Sequence, residues 1–95
     1  MDMALITALA AKYIWWKPAD EAARTPYRVI AQVMDIGEYN DVQKLIAAIG
    51  PEPFCEVLRR AEPGQLNARS WHYWHYRLHM AEIDHVPPLP QRRLA

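Results

Sequence analysis

Residues 25–37 read Thr-Pro-Tyr-Arg-Val-Ile-Ala-Gln-Val-Met-Asp-Ile-Gly. Thr25 suits a helix N-cap and Pro26 the first helical position, where the missing N–H has no helical partner to lose. Tyr27, Ile30, Val33 and Met34 then recur at the spacing of one helical face, and Gly37 stands as a C-cap glycine. The stretch predicts an amphipathic helix between two stops. No competing stretch alternates with the two-residue period of a strand, so the core must be built of helix on helix.

Towards the N-terminus, Met3 to Tyr13 predicts a helix with Leu5, Ile6 and Leu9 on one face and alanines favouring the helical state. Pro18 ends anything running through Trp15, Trp16 and Lys17, and residues 20–24 have room for one turn. Towards the C-terminus, Asn40-Asp-Val-Gln43 has the form of a capping box and leads into Val42, Leu45, Ile46 and Ile49 before Gly50. After Pro51, the residues Phe54, Val57, Leu58 and Ala61 predict a helix ending near Glu62-Pro-Gly64, with Arg59 and Arg60 in its last turn. Asn67 caps a last helix from Ala68 to about Ala81, with Trp71, Trp74, His75 and Leu78 along one stripe. Pro87, Pro88 and Pro90 forbid further helix. The expectation is an all-α bundle of about five short helices, a single domain over 1–86, followed by an extended Pro/Arg tail over 87–95 that can reach a partner.

The 95 residues fit one core, and 52% apolar with 23% charged residues is ordinary globular usage. Eleven basic side chains balance eleven acidic ones, which disfavours non-specific nucleic-acid binding by the whole surface. The apolar run Met3–Ala11 is far shorter than the roughly 20 residues a bilayer needs. Asp2 before that run and Lys12 after it do not fit a secretory signal, so the start reads as mature protein. The lone Cys55 forms no internal disulfide, which suits a cytoplasmic setting, and reads as a packing residue.

Three constellations could carry chemistry. His72, His75 and His79 fall within about 60 degrees on a helical wheel, a metal-like pattern, although histidines beside an aromatic stripe also read as boundary side chains with wet tips. Arg69 and His75 have the spacing of the Arg-x4-6-His motif of HEPN-type ribonucleases, in which the guanidinium holds phosphate and the imidazole moves a proton. A helix-turn-helix through Gly50 would start its reading helix at Pro51, Glu52 and Pro53 and include Glu56, which phosphates repel. No P-loop, dinucleotide fingerprint or nucleophile elbow is present, and no cofactor is expected. Tyr73 and Arg77 fall opposite the tryptophan stripe, on a face open to a partner or to solvent.

The stretches Arg28–Leu45, Phe54–Arg60 and Leu66–Trp74 resemble a family of small helical bacterial proteins of unknown function, with Gly37, Leu45, Val57, Leu58, Leu66, Trp71 and Trp74 as the recurring caps and packing residues. Members are often encoded beside nucleotidyltransferase toxins of the abortive-infection type. The resemblance implies a non-enzymatic antitoxin or accessory partner, and carries no catalytic residue. The expected contacts of such a module are Tyr73, Arg77 and the tail residues Pro87, Pro88, Pro90, Arg92 and Arg93. Ribonuclease action by Arg69 and His75, or metal binding by His72, His75 and His79, stands as the alternative. A homodimer stays open.

Overall fold

In the computed structural model, which describes residues 1–92, six helices are present and no strand is found among the described residues. They are α1 (Met3–Tyr13), α2 (Ala19–Ala22), α3 (Pro26–Ile36), α4 (Tyr39–Ile49), α5 (Glu52–Arg59) and α6 (Ala68–Arg77). The all-α bundle is as expected, α2 being the single turn foreseen before Thr25.

The segment 25–37 is the centre of the fold. Val29, Ile30, Ala31, Val33 and Met34 of α3 are all buried, too many for one narrow stripe, and α3 touches every other helix. Ile6, Leu9 and Ala10 close on it from α1, Phe54, Val57 and Leu58 from α5, and Trp71 and Trp74 from α6. Burying one such side chain contributes about 1.5–3 kcal/mol. The molecule extends 36 × 35 × 19 Å, and its least dimension is that of two helical layers.

The helix ends show where local signals held and where they did not. Asn67 Oδ1 accepts from the backbone N–H of Ser70 at 2.8 Å, the N-cap expected of it. The capping box at Asn40 is a correction: α4 begins at Tyr39 with Glu38 as N-cap, because Tyr13 of α1 reaches this end from outside the segment. Gly37 is the C-cap of α3, but its φ of −66° is not left-handed. Its lack of a side chain matters for space, since a Cβ would lie 2.3 Å from the Val33 carbonyl oxygen. Gly50, at φ 76°, is the glycine whose backbone conformation turns the chain, from α4 into α5. The α5 helix ends at Arg59 rather than near Glu62.

The end of α6 is a second correction. The helix stops at Arg77, not near Ala81, and His79 takes a left-handed φ of 56°. The N–H of Met80 returns to the His75 carbonyl at 2.9 Å and that of His79 to Tyr76 at 3.1 Å, the paired bonds of a left-handed helix stop. Glycine usually fills that position, so a histidine there gave no stop signal.

The α6 helix is fastened to the end of α3 by polar bonds as well as by packing. The last carbonyls of a helix have no partner within it. Trp74 Nε1 donates to the Met34 carbonyl at 2.8 Å, Ser70 Oγ to that of Asp35 at 3.2 Å, and the Asn67 N–H to Asp35 Oδ1 at 2.9 Å. The chain beyond α6 has no helix or strand over 87–92, and it is laid against the body rather than projecting from it. Trp71 Nε1 donates to the Pro87 carbonyl at 2.8 Å, and Val86 and Leu89 pack on the core.

Candidate functional site

Tyr73 and Arg77 are one helical turn apart on α6, so their side chains meet. Arg77 Nη1 donates to the Tyr73 hydroxyl at 3.0 Å, and Nη2 donates to Gln43 Oε1 of α4 at 3.2 Å. The guanidinium also lies 4.9 Å from the Trp74 ring centre, within cation–π range. Arg77 is thus half-buried and held between two helices, while Tyr73 stays 49% exposed. Tyr39, 72% exposed, joins them along a shallow groove of about 220 Å³ over Met34, Gly37, Val42 and Trp74. Tyr73 also borders a second depression lined by Asp35, Asn67, Arg69 and Ser70. Tyr39 was missed in the sequence because only tertiary structure sets it opposite Tyr73.

The Arg69 and His75 pair is not brought together. Six residues on a helix turn through about 600°, which leaves them roughly 120° apart. Arg69 is exposed beside Tyr73, whereas His75 is 3% exposed and packs against Trp71 with ring centres 4.3 Å apart. Its Nδ1 lies 2.7 Å from the Trp71 carbonyl, which can only accept, so Nδ1 carries the proton.

The three histidines are not gathered either. His72 spends its Nδ1 on the Ala68 carbonyl at 2.7 Å, and His79 lies past the end of the helix whose wheel aligned it with the others. Among the described residues no group of three His, Cys, Asp or Glu side chains is disposed to hold a metal ion. Cys55 is half-buried, and burial, with Glu52 adding to it, pushes its thiol above the ordinary range, away from a reactive thiolate. The glutamates of α5 bind the arginines at its end: Arg59 Nη1 meets Glu52 at 2.7 Å, and Nε of the C-cap residue Arg60 meets Glu56 at 2.8 Å.

Of the tail, Pro87, Pro88 and Arg92 are exposed, Pro90 is half-buried, and Arg93 lies outside the described residues. Trp15 and Trp16 stand in the open at 78% and 55% exposure, ring centres 5.5 Å apart, so this pair does not close the bundle.

The most connected polar cluster joins α1 to α4. Tyr13 donates its hydroxyl to Asp41 Oδ2 at 2.5 Å and accepts from the Glu38 N–H at 2.9 Å, while Lys12 Nζ meets Asp41 at 2.7 Å and Glu38 at 3.2 Å. Lys12 first and then Tyr13 hold the Asp41 carboxyl below its ordinary range, and burial followed by Asp41 pushes the Tyr13 phenol up. With every member partnered, this cluster is a clasp between helices.

No helix among the described residues is long and apolar enough to cross a membrane. No family model, curated protein or solved structure matches the chain.

Proposed function

We propose that the chain is a non-enzymatic protein-binding module of the cytoplasm, whose contact face centres on Tyr73 and Arg77. The observation that carries this reading is the holding of Arg77 between Tyr73, Trp74 and Gln43, with the exposed rings of Tyr73 and Tyr39 beside it. Tyrosine and arginine are enriched in interface cores. Side chains already fixed before contact lose less entropy on binding, which favours affinity. Pro88 and Arg92 stay exposed and can add contacts. The balanced net charge argues for a protein partner over nucleic acid.

In the finer form of the proposal, suggested by the resemblance across roughly residues 26–80, the partner is a nucleotidyltransferase toxin that this chain masks as its antitoxin. The test is co-expression with the genomic neighbours followed by purification through a removable tag. A nucleotidyltransferase co-eluting at fixed stoichiometry, with its toxicity suppressed, is the expected result. Tyr73→Ala and Arg77→Ala should each weaken that complex by about tenfold or more without loss of helical circular dichroism. A chain that elutes alone beside a toxic neighbour would overturn the antitoxin form. Unchanged affinity in both variants would remove this face as the contact. Light scattering on the isolated chain distinguishes a homodimer.

A further inference from the structure

A different concavity opens at the other end of α3. Arg24, Arg28 and Arg60 line a cleft of about 320 Å³ together with Pro26, Tyr27 and Val57, and Glu62 is the one acidic residue on its wall. The Arg60 guanidinium lies 4.9 Å from the Tyr27 ring centre and pairs with Glu56. Arg28 comes only within 3.8 Å of Glu62, an ion pair in which both side chains are more than three-fifths exposed. Arg24 is in no ion pair or side-chain hydrogen bond among the described residues. Exposed pairs of this kind contribute little to stability. Ion pairing and the Tyr27 ring account for the place of Arg60, whereas no such contact among the described residues accounts for Arg24 at the same cleft.

We infer that this cleft binds a phosphate monoester carried on a planar body of mononucleotide size. A single carboxylate would only exchange with Glu56 and Glu62, which already serve Arg60 and Arg28. A phosphate monoester brings nearly two negative charges and three acceptor oxygens, enough to engage several guanidinium forks at once. Its aromatic body has Pro26, Tyr27 and Val57 to lie on, within a volume at the small end of ligand pockets. This site lies apart from the Tyr73 face and does not rest on the protein-binding reading.

The experiment titrates the full chain with the four nucleoside monophosphates, the matching nucleosides, inorganic phosphate and a glutamate-rich peptide, following backbone amide shifts by NMR. At least one monophosphate should saturate with shifts at Tyr27, Arg28 and Arg60, binding about tenfold or more tighter than its nucleoside or phosphate alone. Arg24→Gln, which removes no ion pair or side-chain hydrogen bond seen among the described residues, should weaken that binding by about tenfold, and Arg60→Gln should do likewise with circular dichroism unchanged. Three results would each overturn the inference. One is saturation by no monophosphate, another is a monophosphate that binds no tighter than inorganic phosphate, and the third is a peptide that binds the same amides more tightly than any monophosphate.

Discussion

Gly37 and His79 occupy two helix ends for opposite reasons. Gly37 has an ordinary backbone and no space, so Gly37→Ala should destabilise by about 1–3 kcal/mol, read as a lower urea midpoint with an unchanged slope. His79 is exposed in a left-handed conformation that glycine adopts without steric penalty. His79→Gly should therefore stabilise by about 0.5–1 kcal/mol in the same measurement. A loss of stability would show that the imidazole holds contacts of its own. In the sequence, Gly37 was legible as a stop but its reason was not, because the limiting atom is the Val33 oxygen of the preceding turn. His79 drew attention as a ligand because wheel geometry assumes the helix continues. His75, placed on the apolar stripe from the start, is buried there.

At the scale of elements, the helix starts at Pro26 and Asn67 were legible because a helix start is a local event, although Thr25 marks its start by position alone, its hydroxyl donating to the Ala22 carbonyl at 3.2 Å instead of capping. The clasp between α1 and α4 was not, since Tyr13 and Asp41 lie 28 residues apart. Tyr13→Phe removes a hydroxyl that makes two bonds and strands the Glu38 N–H, so it should cost about 1–3 kcal/mol. The clasp also sets a pH dependence. The folded-state pKa of Asp41 lies below its unfolded value near 3.8, so its contribution is fully present above that value. It is lost as the pH falls through the lower, folded value. Melting temperatures of the native chain and Asp41→Asn should then differ at neutral pH and converge in acid below about pH 4. A constant difference down to pH 2 would refute the assignment.

For the whole molecule, the all-α class and most of the core followed from apolar spacing. The course of the tail did not, since proline tells where a helix ends and nothing about what the chain then lies against. Deleting residues 87–95 takes the acceptor from the Trp71 indole and strips Leu89 from the core. It should cost about 1–3 kcal/mol and shift tryptophan emission to the red. A tail that served only as a free arm would leave both unchanged. For the same reason the contribution of the tail to partner binding is better probed by Pro88→Ala and Arg92→Ala than by truncation.

The four tryptophans divide evenly by access to solvent. Trp15 and Trp16 stand in water, while Trp71 and Trp74 are 4% and 1% exposed. An aqueous quencher such as iodide reaches the first pair and is shut out from the second, so the native protein carries two optical channels without any label. The quenchable one reports what settles near the end of α1, and the shielded one reports the integrity of the α3–α6 joint.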